Sequence, residues 1–249
     1  MCGASFGRLR RMKAGYLLAS IAALALFHSA ANASEECMAT INGLGAVTLV
    51  GFFPGGDGSE IRTTVKPGER FIAAPPYVGL EQGNLWRVYL KSGIQGMIDR
   101  SRIHLLPDEP LMKLNYSDSK REWRKLKSKQ VTENDEAAWQ AKQHGVNYYD
   151  TLIRASEGDL KAMARFVSLD EFMDGAAGES YHPEWWALFH VMGDENFARY
   201  LRSSGKIREE YKGIFSTVGI AAFDPISNPK PYIKQNFPKT YKILFGGEQ

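Results

Sequence analysis

Residues 85–103 read LWRVYLKSGIQGMIDRSRI. Trp86, Val88 and Leu90 alternate with Arg87, Tyr89 and Lys91, the period of two that marks a half-buried strand. Ser92-Gly93 stands where a tight hairpin needs a residue that tolerates positive φ. Residues 94–99 return as the partner strand, with Gly96 placed for a bulge or a close backbone approach, and Ile103 follows a short polar turn. The stretch predicts two strands joined by a hairpin, with a closing strand after it.

Working outward toward the N-terminus, the same signals repeat. Residues 39–42 and 46–52 read as strands separated by a glycine turn. Residues 61–65 and 69–74 read as two more, separated by the turn Lys66-Pro67-Gly68. Loops rich in glycine and proline cover residues 53–60 and 75–84. Short strands at this spacing over residues 37–106 predict a small β-barrel. The pattern Trp86-x-Val88, then Gly93, Gly96 and Ile103, with the basic turn 65–69, resembles a bacterial Src-homology-3 domain. The chain lacks that family's N-L-R-x-G-P signature near its start and has Met97 where a Trp is common. The resemblance implies a binding module with an aromatic-lined groove for an extended peptide. The residues it offers for ligand binding are Phe53, Tyr77, Trp86 and Tyr89, with Phe52 beside them; Trp86 and Phe52 also suit the interior of a small barrel.

Residues 1–33 read as a secretory signal. Arg8, Arg10, Arg11 and Lys13 form a basic start, residues 16–27 an uncharged apolar run, and Ala31-Asn32-Ala33 a small-x-small cleavage site; Met12 would begin a complete signal by itself. The apolar run is shorter than a bilayer-spanning helix requires. Cleavage near Ala33 predicts a secreted or periplasmic protein without a transmembrane segment. The whole chain carries +3, and the signal holds four basic residues and no acid, so the remainder stands at about −1. That balance removes the electrostatic case for nucleic acid. Cys37 is the only cysteine after the signal, so no internal disulfide can form; it reads as a strand-edge residue, with pairing to another chain as the alternative.

Residues 107–130 form a connector in which 113–130 hold seven basic and two acidic residues, with only Trp123 and Leu126 apolar at helical spacing. This predicts a solvated helix capped by Ser117 or Asp118; a patch for an anionic surface is the alternative. From residue 131 to 249 the period is helical. Gly158-Asp159 and Gly193-Asp194 each combine a helix-ending glycine with a capping acid, and Ala164-Arg165-Phe166 is echoed 34 residues later by Ala198-Arg199-Tyr200. The expected architecture is α+β: an SH3-like barrel, then an all-α bundle or a short run of helical hairpins. Phe237, Tyr241, Leu244 and Phe245 share a stripe after Pro238, so the last helix should dock on the helical core.

Glu179, His182 and Glu184 are the catalytic candidates in residues 174–186. The helix-start reading accounts for most of that stretch: Pro183 at the first helical position, Glu184 complementing the dipole, and Trp185, Leu188, Phe189 and Met192 as a core face. His182 and His190 lie about 12 Å apart along a helix, too far to share a metal. No nucleophile elbow or paired zinc motif occurs, and no cofactor is expected. Three functions compete. The first is a non-catalytic envelope protein holding a peptide or peptidoglycan-type glycan. The second is an interaction, inhibitor or immunity protein working through its helices. The third is a wall hydrolase using Glu179 and His182.

Overall fold

In the computed structural model, residues 36–52, 60–75, 84–133, 135–173, 175–216, 226 and 229–246 are described. The signal segment, Phe53 and Tyr77 lie outside them. The strands are β1 (Cys37–Ile41), β2 (Val47–Phe52), β3 (Ile61–Val65), β4 (Phe71–Ala74), β5 (Leu85–Leu90), β6 (Gln95–Asp99) and β7 (Ile103–Leu106). They form one antiparallel sheet in the order β3-β2-β6-β5-β4-β1-β7. A one-turn 3-10 segment, Arg100–Arg102, separates β6 from β7. The hairpin turn falls where the alternation places it, with Gly93 at φ +85° and its N–H on the Leu90 carbonyl at 2.9 Å.

The helices are α1 (Ser117–Lys127), α2 (Glu136–Gln143), α3 (Tyr148–Ser156), α4 (Leu160–Val167), α5 (Gly175–Arg202), α6 (Gly205–Ser216), α7 (Pro229–Asn236) and α8 (Pro238–Phe245). The chain is thus α+β, a sheet followed by helices. Asn147 and Asp159 cap α3 and α4 with their side chains.

The sheet has two apolar faces, and each has its own partner. Ala39, Ile41, Leu49, Val65, Phe71, Ala73, Val88, Leu90, Ile98 and Ile103 pack together on the inner face. On the outer face, Met38, Ile72, Ala74 and Tyr89 join the core of the helices. Between them, residues 107–116 place Leu114 and Tyr116 in that same core, and α1 packs on α3.

Several elements differ from expectation. The helix at residues 117–127 is solvated on one side only, because Trp123 and Leu126 are buried in the core. Its basic residues are neutralised: Lys120 and Arg124 meet Glu157, Lys127 meets Asp150, Arg121 meets Asp118, and Lys125 meets Glu122. Helix α5 begins at Gly175 and runs through Pro183, which is therefore interior. Burial of Ala177 and Tyr181 on one face carries the helix across the proline despite the lost hydrogen bond. Gly193 breaks α5 at φ +71°, as its position suggests, but Asp194 caps a distant helix. Its carboxylate accepts from Lys239 N at 2.8 Å and Thr240 N at 2.7 Å, at the start of α8. Pro229 and Pro231 stand in the first turn of α7, where a missing N–H costs no helical hydrogen bond.

The echoed tripeptides do equivalent work. Arg165 donates to the His144 carbonyl at the end of α2, 3.2 Å away, and Arg199 donates to the Gly158 carbonyl after α3 at 2.8 Å. Each arginine satisfies an orphan carbonyl at the C-terminal end of an earlier helix and places positive charge on its dipole.

Candidate functional site

Antiparallel registers assign every sheet residue to a face. Ala74 lies opposite Arg87, and Arg87 opposite Met97; the β2–β6 register, Gly51 opposite Gly96, brings Val50 beside Met97. Arg62 lies opposite Val50 on β3. This rung shares the outer face with Ile72 and Tyr89, but the helices cover only the β1–β4–β5 side. Val50 and Met97 remain 46 % and 40 % exposed. Strands β2 and β6 meet closely because both facing residues are glycine. A Cβ on Gly96 would stand 2.5 Å from the Val50 carbonyl oxygen.

At the far end of β6 the backbone is held by a dense set of hydrogen bonds. Arg100 N donates to Asn84 O at 2.7 Å, and Asn84 Nδ2 donates to Asp99 Oδ1 at 3.1 Å. The same oxygen accepts from Ser101 N at 2.8 Å and Ser101 Oγ at 2.6 Å, bonds that hold the Asp99 carboxyl below its usual range. The Arg100 guanidinium lies 4.8 Å from the Trp86 ring centroid and donates to Ile103 O at 2.8 Å. Trp86 is half-buried and packs on the inner core, so its ring is an anchored platform with an arginine laid over it.

The other predicted binding residues fare differently. Tyr89 is 3 % exposed and faces the helices, where its hydroxyl accepts from Arg87 Nη1 at 2.9 Å. It belongs to the seam between sheet and helices, because the alternation that puts Trp86 inside puts Tyr89 outside, and the outer side is covered there. The described residues that carry the chain toward Phe53 and away from Tyr77 stand apart: Phe52 is opposite Gln95 at the start of β6, whereas Leu85 is opposite Asp99 at its end. Those positions are ~13 Å apart at the rise of a strand.

Glu179, His182 and Glu184 face three different environments. Glu179 is exposed. His182 has Nδ1 2.7 Å from Gly178 O and Nε2 3.5 Å from Asp170 Oδ1. Glu184 is 3 % exposed and faces Tyr148. Among the described residues no cluster of three metal-ligating side chains occurs, and no helix is long and apolar enough to cross a membrane.

Sequence reasoning missed the central polar chain of the helical core. His190 Nδ1 lies 2.9 Å from Trp186 O and its Nε2 2.8 Å from Tyr232 Oη, while Tyr232 Oη accepts from Leu114 N at 3.1 Å. These partners fix the roles: Nδ1–H donates to the carbonyl and Nε2 accepts from the tyrosine hydroxyl. Burial lowers the His190 pKa to about 3, so the ring is neutral. The chain ties residues 107–116 to α5 and α7. An open depression of about 580 Å³ also lies between the start of α2 and the start of α5, lined by Glu133, Glu136, Trp139, Gln140 and Gly175, Ala176 and Ala177.

No protein-family model matches this chain, and neither a curated protein nor a solved structure matches it at a significant level.

Proposed function

We propose that this chain is an exported, non-catalytic cell-envelope binding protein that holds an extended peptide or a peptidoglycan-type strand on an SH3-like sheet module. One observation carries the reading: the helices cover Met38, Ile72, Ala74 and Tyr89 on one side of the outer face, and the apolar side chains of Val50 and Met97 stay exposed on the other, flanked by Arg62 and Arg87. An extended ligand suits that surface. It can lie along β6 over Val50 and Met97, with β3 as an edge strand on the flank. Short antiparallel strands and a single 3-10 turn before the last strand are in keeping with a small barrel module.

The test is co-sedimentation of the signal-free protein with purified peptidoglycan sacculi. Wild type should be retained. The double variant Val50→Asp/Met97→Asp should be released while its melting temperature stays within a few degrees, because both side chains already face solvent. A wild-type protein that stays in the supernatant removes the peptidoglycan reading. Retention of the double variant moves the surface elsewhere.

The interaction or inhibitor reading has its own support in the depression beside Trp139, where an aromatic wall and two carboxylates fit a basic segment of another protein.

A further inference from the structure

Glu184 is the least expected side chain in the helical core. A carboxyl group that is 3 % exposed normally has an arginine, a lysine or several N–H donors around it. Glu184 has none. It faces the Tyr148 hydroxyl on α3, yet neither Glu184 Oε2 nor Tyr148 Oη is in hydrogen-bond geometry with a partner among the described residues. Two buried polar groups thus confront each other at a helix–helix contact, each with the other as its nearest polar neighbour among the described residues.

The backbone at this point is also weakened. Pro183, immediately before Glu184, has no N–H, so the Glu179 carbonyl lacks its i+4 donor. One turn earlier the Gly178 carbonyl is approached by the His182 ring at 2.7 Å. The part of α5 before the proline is held to the rest by Tyr181, whose hydroxyl donates to Phe166 O at 3.3 Å and whose ring stacks on Phe166 at 4.9 Å. A helix with a missing rung beside a buried acid has a natural place to open.

We propose that Glu184 and Tyr148 form a proton-dependent latch between α5 and α3, closed while Glu184 keeps its proton and opened at Pro183 when it loses it. In the closed state the neutral carboxylic acid needs no counter-charge. On ionisation the proton leaves to solvent, and the remaining carboxylate has one available donor, the Tyr148 O–H. Opening the first turns of α5 hydrates it.

Apart from the Tyr148 hydroxyl, no donor or cation among the described residues acts to hold the anion in place. From α3, Tyr148 faces Glu184 directly and Tyr149 acts on Tyr148; from α5 itself, Tyr181 does the same. Among the described residues no charged group of α1, α2, α6 or α8, the other helices packed on α5, acts on Glu184. Farther out, Tyr181 is influenced by Tyr200, Tyr211, Asp170 and Glu210, hydroxyls and acids only. Burial accordingly raises the Glu184 pKa from 4.5 to about 8.

The experiment is peptide-resolved hydrogen exchange on the signal-free chain, corrected for the intrinsic pH dependence of exchange. An open state with an ordinary carboxyl and a closed state with a raised one differ by one proton between these values. Opening therefore grows about tenfold per pH unit in that interval. Between pH 4.5 and 6.5 the amides of α3 and of α5 up to Glu184, short of the turn that buries His190, should open ~50-fold more, while those of β4 and β5 serve as an internal reference. Glu184→Gln should flatten this response, and Pro183→Ala should lower it at every pH. An equal rise in the sheet amides would mean global unfolding alone and overturn the latch, as would an unchanged response in Glu184→Gln. If that variant does not fold, infrared spectroscopy of the wild type decides. A protonated carboxyl stretch must persist at pH 6.5 and be lost as the pH rises through 8, and its absence at pH 6.5 overturns the proposal.

Discussion

The Asp194 carboxylate accepts a hydrogen bond from the backbone N–H of Thr240 at 2.7 Å, across 46 residues of chain. The same carboxylate takes the N–H of Lys239, so one side chain in the middle of α5 satisfies two of the orphan donors at the start of α8. An N-cap is ordinarily supplied by the residue just before the helix. Here that residue is Phe237, fully buried and without a capping oxygen, and Pro238 follows it. The apolar anchor and the cap have been separated, and packing of α8 on α5 brings them together again.

Replacing Asp194 with Ala should therefore cost about 1–2 kcal/mol, the range of a lost N-cap, although the residue is half-exposed. Glu195→Gln, which breaks only the exposed pair with Lys239, should cost less than Asp194→Ala. Urea denaturation of both variants checks the ranking. An Asp194→Ala protein as stable as Glu195→Gln would show that α8 is held by its apolar residues alone.

Removing α7 and α8 should be far more damaging. Tyr232, Ile233, Phe237, Leu244 and Phe245 are all buried in the shared core. Each large side chain is worth about 1.5–3 kcal/mol on burial. The deletion also leaves His190 Nε2 and the Leu114 N–H without their tyrosine. A chain lacking residues 230–249 should fail to give a cooperative thermal transition, as read by circular dichroism.

Much of this fold is written locally, and the exceptions share one cause. Strand alternation locates β5 and β6 and puts Trp86 on the inner face, because a period of two needs no knowledge of the partner. Gly158-Asp159 marks a helix end and the next start for the same reason. Asp194 was legible as a cap but not as the cap of α8, since its client is reached only through tertiary packing. Tyr89 and Trp86 look equally available in sequence, and only the docking of the helices distinguishes them. Pro183 resembles a helix start because a proline at the first helical position and an interior proline carry the same residue; burial of Tyr181 and Ala177 before it decides. The His190–Tyr232 bond joins residues 42 apart whose apolar neighbours give no hint of a polar pair.

Gly51 and Gly96 face each other where β2 pairs with β6; the place of Gly96 within a strand pattern points to this close backbone approach, whereas its partner is set by the fold. Gly96→Ala should cost about 1–3 kcal/mol, the usual range for overpacking, because its Cβ would meet Val50 O at 2.5 Å and Leu49 Cδ1 at 2.6 Å. Gly43→Ala meets nothing within 4 Å and has only the positive φ of +89° to resist it, at about 1 kcal/mol. Paired denaturation curves check the order; equal losses would mean that the strands separate to admit a methyl group.

Glu184 and His190, both buried in α5, pull stability in opposite directions, and their pH windows overlap. His190 is neutral when folded, with its pKa lowered by burial from 6.5 to about 3. Below 6.5 the unfolded chain binds a proton that the folded one refuses, so stability falls as pH drops from 6.5 toward 3. Glu184 has its pKa raised from 4.5 to about 8. Between those values the folded chain keeps a proton that the unfolded one has lost, so stability falls as pH rises from 4.5 to 8. Each slope is about 1.4 kcal/mol per pH unit while its window is open. From 4.5 to 6.5 the slopes oppose and cancel, leaving a plateau. Stability should decline below it through His190 and above it through Glu184, then level off beyond pH 8. Glu184→Gln should remove the alkaline decline and let stability climb from pH 4.5 to 6.5. His190→Phe should remove the acid decline, at a fixed cost from the orphaned Tyr232 hydroxyl. Urea midpoints from pH 4 to 9 for the three proteins check this. A wild-type profile without the plateau, or a Glu184→Gln profile that keeps the alkaline decline, would assign the pH dependence to other groups.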